Sequence, residues 1–192
     1  MKRILMLAAF AFFCSTQGRA QIEQGNVMVG ADLANIQLGL KEGGNFNFRL
    51  DPKVAWVIRN NIALGAYINV GLSTAKGAGT SINYGVGPLA RYYISDQTLN
   101  VLKRARFFFE GNVGIEGYKP AVRDNTNGLG LGFGPGIAYF VTPNIGLEAL
   151  VKYNGIVGFG SSVSNSNINV GFGFQIYLPS SKIKSEVTKP AR

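Results

Sequence analysis

The chain has 192 residues, a formal net charge of +9, 26 glycines, one cysteine and no histidine; 46% of its residues are hydrophobic and 15% charged. That apolar content excludes a disordered tail protein, and the glycine has no Gly-X-Y period, which excludes a collagen-like rod. The missing histidine removes imidazole general bases, proton shuttles and imidazole metal ligands.

Residues 1–20 have the layout of a secretory signal peptide. Lys2 and Arg3 form a basic start, Ile4 to Phe13 is apolar, and Gly18 and Ala20 place small residues at −3 and −1. Cleavage is predicted after Ala20. The apolar run is too short to cross roughly 30 Å of hydrocarbon as a helix. Phe12 and Phe13 occupy positions where lipidation at Cys14 would call for small residues. The mature chain then has no cysteine, so no disulfide contributes to its stability.

Period-two alternation of apolar with small or polar residues fills the rest of the chain. Eight strands are predicted, over about 25–33, 46–58, 62–72, 82–94, 106–118, 129–141, 145–157 and 167–178. Lengths of about nine to thirteen residues suit tilted membrane strands better than the five or six typical of soluble sheets. Arg59-Asn60-Asn61 and Thr142-Pro143-Asn144 read as tight turns, whereas 34–45, 73–81, 119–128 and 158–166 read as longer loops.

The pattern also repeats. Pro52-Lys53-Val54-Ala55-Trp56-Val57-Ile58 aligns with Pro88-Leu89-Ala90-Arg91-Tyr92-Tyr93-Ile94 and with Pro135-Gly136-Ile137-Ala138-Tyr139-Phe140-Val141. The second, fourth and sixth strands thus carry a proline at one height, where a bulge or bend is expected. In each copy Trp56, Tyr92 or Tyr139 falls on the apolar face.

One strand face is apolar and uncharged. The other holds Gly30, Gly65, Gly71, Gly85, Gly87, Gly114, Gly130, Gly132, Gly134, Gly136, Gly146, Gly171 and Gly173. A solvated exterior would carry more charge, so the glycine face is read as a narrow lumen and the apolar face as lipid-facing. The fold expected is an all-β, eight-stranded antiparallel up-and-down transmembrane barrel over 21–178. A cleaved signal peptide (1–20) precedes it and a basic periplasmic tail (179–192) follows.

Asp51-Pro52-Lys53-Val54 to Ile62-Ala63-Leu64-Gly65, and Tyr84-Gly85-Val86-Gly87-Pro88-Leu89-Ala90-Arg91-Tyr92-Tyr93, resemble the outer-membrane β-barrel protein family. These are the small porin-like, OmpA/OmpX-type barrels of Gram-negative bacteria, and the resemblance spans nearly all of residues 24–178. It implies an outer-membrane location, with lipid and the barrel-assembly machinery as partners during insertion. Members usually finish on a terminal aromatic; here the last strand ends at Tyr177-Leu178 and Pro179 opens the tail. The family's lipid A deacylase, palmitoyl transferase and omptin-type proteases each depend on a catalytic histidine, and this chain has none.

The charges sort by place. Arg49, Lys53, Arg59, Arg91 and Lys152 are expected in the lumen against Asp32, Asp51, Glu110, Glu116 and Glu148, a neutral set. At a similar height Arg91, Glu110 and Glu148 meet across the lumen as a salt-bridged plug; the alternative is a selective channel. Trp56, Tyr92, Phe107, Phe109 and Tyr139 are read as membrane-interface aromatics. The net positive charge falls on connections and tails, mostly on the tight-turn side (Lys103, Arg104, Arg106, Lys182, Lys184, Lys189, Arg192). It faces anionic head groups, with peptidoglycan as a further candidate partner. Nucleic acid is a poor partner, because the aromatics do not interleave with the basic residues and export removes the chain from the cytoplasm.

Glu110 and Glu116 are too generic a pair to assign to acid–base catalysis, and no Walker or cysteine-metal motif or cofactor signature appears. Gly128-Leu129-Gly130-Leu131-Gly132 is strand alternation, with no helix opening after it. The reading is a non-enzymatic outer-membrane barrel with a structural or surface-interaction role, its loops offered to an extracellular ligand. A minor porin-like channel for small solutes is the alternative.

Overall fold

The computed structural model describes residues 22–38, 45–75, 77, 79–94, 104–121, 125–159 and 164–179. The signal-peptide segment, most of the tail, and Lys41, Lys76, Lys103 and Arg123 lie outside them. The strands are β1 (Val27–Leu38), β2 (Asn45–Arg59), β3 (Ile62–Ala75), β4 (Gly79–Tyr93), β5 (Ala105–Lys119), β6 (Thr126–Thr142), β7 (Ile145–Gly158) and β8 (Ser164–Leu178). Each pairs antiparallel with the next, and β8 returns to β1, with Val27 opposite Leu178. The barrel is closed, so no strand is left as a free edge.

All eight predicted strands are present, and most run further at the loop end than the apolar alternation extends. In the segment expected as a loop over 73–81, Ser73 pairs with Ser81, Thr74 with Thr80 and Ala75 with Gly79. Likewise β5 continues to Lys119, β6 begins at Thr126, β7 reaches Gly158 and β8 begins at Ser164. Apolar alternation records where a strand meets an apolar medium; backbone pairing continues past that boundary through Ser, Thr and Asn.

The repeated prolines make no bulge. On β2, β4 and β6 the ladder on the preceding-strand side is intact at each (Pro52 with Ala31, Pro88 with Ala66, Pro135 with Phe109). Toward the following strand it lapses for two residues and resumes in the same register, from Leu50↔Val70 to Lys53↔Tyr67 in β2–β3. The β4–β5 and β6–β7 ladders do the same. Each proline therefore points its missing donor at the next strand, and three copies of the motif share one geometry. Register shifts occur instead between Ala34 and Gln37, Val57 and Arg59, and Phe140 and Thr142.

The two faces divide as the alternation implies. Val86, Val113, Ile115, Leu131, Val151 and Phe172 are exposed on the outside, and among the described residues charges on that face appear only at strand ends, at Arg59 and Lys119. The glycines named above lie on the lumen face. A β-carbon at Gly134 would lie 1.9 Å from the Val151 carbonyl oxygen, and one at Gly136 would lie 2.3 Å from Cζ of the Phe108 ring. The glycines are what lets eight strands close around large lumen side chains.

Candidate functional site

The lumen is filled in layers, from the tight-turn end upward. The lowest layer is apolar and aromatic: Tyr93, Phe108, Phe140 and Tyr177, with Met28, Ala55, Val57, Ala63 and Ala138, are all nearly inaccessible. Tyr177 lies with its ring centroid 5.3 Å from Phe140 and 6.4 Å from Tyr93, and Tyr93 lies 5.8 Å from Phe108. The Tyr93 and Tyr177 hydroxyls share a hydrogen bond of 2.6 Å, so neither is stranded in the apolar layer. Ile22 joins this cluster, brought in where Gly25 N donates to the Val57 carbonyl and Val57 N to the Asn26 carbonyl.

The charged layer rests directly on the aromatics. Arg91, from β4, lies 4.0 Å above the Phe108 ring and donates to Glu110 Oε2 at 2.6 Å and to Glu148 Oε1 at 2.7 Å. Glu110 is the hub. Its Oε2 also accepts from Lys53 Nζ at 2.9 Å, and its Oε1 accepts from Lys152 Nζ at 3.0 Å. Lys53 donates onward to Asp32 Oδ2 at 2.5 Å, and Gln175 Nε2 donates to Asp32 Oδ1 at 3.2 Å. Tyr177 donates to Glu148 Oε1 at 3.1 Å. Three cations thus meet three carboxylates, joining β1, β2, β4, β5 and β7 across the lumen. An ion pair removed from water is stabilising only when its remaining donors and acceptors are also engaged, and here most are.

Above this layer the lumen opens. Glu116, buried against Gly85 and Gly130, accepts from the Tyr67 hydroxyl at 2.9 Å and joins no ion pair among the described residues. Arg49 Nε donates to both Asp51 oxygens, at 3.0 and 3.1 Å. Over them lies a cavity of about 310 Å³ at the loop end, lined by Asn47, Phe48, Arg49, Gly71, Leu72, Ser73, Asn83, Asn167 and Asn169. Asn169 Nδ2 donates to Asn167 Oδ1 at 2.8 Å, and Ser73 Oγ to Asn47 Oδ1. Among the described residues the lumen is therefore a cup: open and amide-lined at the loop end, closed by charges and then rings at the turn end.

Of the residues expected to form the lumen network, Asp32, Lys53, Arg91, Glu110, Glu148 and Lys152 are brought together. Arg49 and Asp51 form a separate pair one layer up, and Glu116 stands apart from both. Arg59 is not in the lumen. The register shift between Val57 and Arg59 puts it on the exposed face at the turn, which leaves four lumen cations against five carboxylates. Trp56, Tyr92, Phe107, Phe109 and Tyr139 all point outward and are exposed. Phe109 additionally begins an aromatic ridge, 6.4 Å from Phe133, which is 5.3 Å from Tyr153. Sequence reasoning missed the aromatic layer. Its signal was present: Tyr93, Phe108, Phe140 and Tyr177 occupy lumen parity, all near the turn ends of their strands.

No family model and no curated protein matches the chain. Among solved structures, it is similar to Neisserial surface protein A, at 18% identity and a TM-score of 0.52 over 79% of this chain and 95% of that one. It is also similar to the outer membrane protein OprG from Pseudomonas aeruginosa, at 12% identity and a TM-score of 0.52 over 84% and 98% of the two chains. The N-terminal β-barrel domain of Pseudomonas aeruginosa OprF matches at 12% identity with a TM-score of 0.50, over 81% and 98%. The shared property is the eight-stranded outer-membrane barrel fold, which by itself names no activity.

Proposed function

We propose that this chain, with its eight-stranded outer-membrane barrel fold, is an exported outer-membrane protein of structural or surface-interaction role whose lumen does not conduct. The signal-peptide layout of residues 1–20 supports export. The outer face supports membrane insertion. Ten residues separate Trp56 near the turn end of β2 from the exposed Phe46 near its loop end. That is about 33 Å along a strand, or about 25 Å of membrane depth at a tilt of roughly 40°, the height of the apolar band in such barrels. Exposed Tyr84, Tyr118 and Phe159 accompany Phe46 at the loop end, opposite Trp56, Tyr92, Phe107 and Tyr139. Two aromatic girdles are thus the natural reading. Lipid and the assembly machinery would be the partners during insertion. The basic turn side, with Arg104 and Arg106, would face the periplasm and its peptidoglycan.

The observation that carries the non-conducting reading is the Glu110 network, seated on a sealed layer of four rings. A non-enzymatic role fits a chain with no histidine. Purified protein in planar bilayers should give no stable conductance, and steady, salt-dependent single-channel openings would overturn the reading in favour of a channel. Envelope fractionation with boiled and unboiled gel samples tests location and fold. A freely soluble protein with no heat-dependent mobility shift would reject both.

A further inference from the structure

We infer that the loop-end cup is a binding site for a carboxylate-bearing polyhydroxylated solute, the chemistry of a sugar acid. Arg49 lines the cavity, and its Nε is held by Asp51. That contact uses one edge of the guanidinium. Nη1 and Nη2 donate to no acceptor among the described residues, which leaves an end-on fork of N–H groups beside the cavity. Such a fork matches the two oxygens of a carboxylate. Asp51 fixes the plane of the fork and lines an adjoining recess that shares Asn169, and the arginine is the charged group on this cavity's own wall.

The walls supply the rest. Asn83 makes no side-chain hydrogen bond among the described residues, and Asn167 uses only its Oδ1, which accepts from Asn169. An amide offers both donors and an acceptor, and alternating donors and acceptors are what hydroxyl groups require. The space, about 310 Å³, is at the lower end of small-molecule sites and admits one monosaccharide-sized group, not a chain running through. Below, Lys152 and Glu110 are engaged with each other, and the rings close the path. The site is blind, so its occupant enters and leaves by the loop end. Glu116, without a cationic partner one layer down, disfavours an anion and sets the expected affinity as modest.

The binding itself does not depend on the non-conducting reading; only the side of the membrane from which the ligand comes rests on the proposed orientation. The test is a nuclear magnetic resonance titration of the purified protein in detergent micelles. It follows Arg49 Nε–H and the side-chain amides of Asn83, Asn167 and Asn169. The probes are sodium glucuronate, sodium acetate and glucose. Saturable shifts are expected with glucuronate, weaker ones with acetate and the weakest with glucose. Arg49→Gln should weaken glucuronate binding at least about tenfold, equivalent to about 1.4 kcal/mol. Glu116→Gln should tighten it while leaving glucose unchanged. Unchanged heat-dependent gel mobility shows that each variant is folded. Binding of the methyl glycoside of glucuronate would assign the occupant to a glycan end, and binding of the free acid alone to a free solute. Shifts that do not saturate, survive Arg49→Gln in a folded variant, or are as strong with glucose as with glucuronate would overturn the assignment. Equal affinity for acetate and glucuronate would overturn its polyol half.

Discussion

Glu110 and Arg91 stand opposite one another on the paired strands β4 and β5, with Arg91 Nη2 2.6 Å from Glu110 Oε2 and both side chains almost wholly removed from solvent. Glu110 also takes Lys53 and Lys152, whereas Glu148 takes only Arg91 and the Tyr177 hydroxyl, all through Oε1. The two carboxylates therefore differ in what a neutral replacement removes.

Glu110→Gln should be the more damaging of the two. It takes the shared anion from Lys53 and Arg91, which keep Asp32 and Glu148, and leaves Lys152 with no ion-pair partner among the described residues; a buried charge stripped of its partner costs about 3–5 kcal/mol. Glu148→Gln keeps an amide oxygen where Oε1 stands and should cost about 0.5–1.5 kcal/mol. Urea unfolding in vesicles, followed by fluorescence of Trp56, the chain's single tryptophan, would compare them. Equal midpoints would mean that Glu110 is not the hub of the network.

Much of this was legible in the sequence. Period-two parity alone separates Val113 and Leu131 from Glu110 and Glu148, because adjacent side chains on a strand face opposite ways. What parity does not carry is which lumen residues meet. Lys53, Arg91, Glu110 and Lys152 come from four strands and touch across the barrel, at heights set by the stagger of every intervening pair. Parity also fails wherever the register slips. Arg59 belongs to the lumen by counting from Trp56, and the shift after Val57 turns it outward. The aromatic floor was hidden for a different reason: Tyr93 and Phe108 each sit between outward-facing apolar residues (Tyr92 and Ile94, Phe107 and Phe109), which masks the change of face.

The glycines of the lumen face are not equivalent. At Gly134 an added methyl would meet the backbone carbonyl of Val151 at 1.9 Å, an atom that shifts only with the β7 backbone, itself paired to β8 at Val170. At Gly146 the nearest atoms, on the Phe140 and Tyr177 rings, are 3.7 Å away, an ordinary contact. Gly134→Ala should cost about 1–3 kcal/mol and slow refolding into vesicles, whereas Gly146→Ala should fall within about 0.5 kcal/mol of wild type. Indistinguishable refolding yields would show that β6 and β7 leave room for a methyl at Gly134.

Asn61 closes the β2–β3 hairpin with φ of 72°, the left-handed region that asparagine tolerates and β-branched residues resist. Asn61→Gly should be stable to within about 0.5 kcal/mol, while Asn61→Val should lose about 1 kcal/mol or more. The measurement is again the unfolding midpoint. A neutral valine would mean that the turn adopts another geometry in the membrane.

The outer face supplies a prediction that is graded with depth. Val113 lies midway along β5, between Phe107 and Phe109 near the turn end and Tyr118 near the loop end, and is exposed. Ile94 is also exposed but lies just past the turn end of β4. In a bilayer, Val113→Arg should cost roughly 2–4 kcal/mol and Ile94→Arg roughly 0–1 kcal/mol, because an arginine near the boundary reaches head groups and water. In a water-soluble barrel both outward positions would be solvated, and neither change should matter beyond about 0.5 kcal/mol. Comparing the pair separates lipid contact from mere exposure, whichever compartment holds the protein. Equal and small effects would reject the lipid-facing assignment of the apolar face.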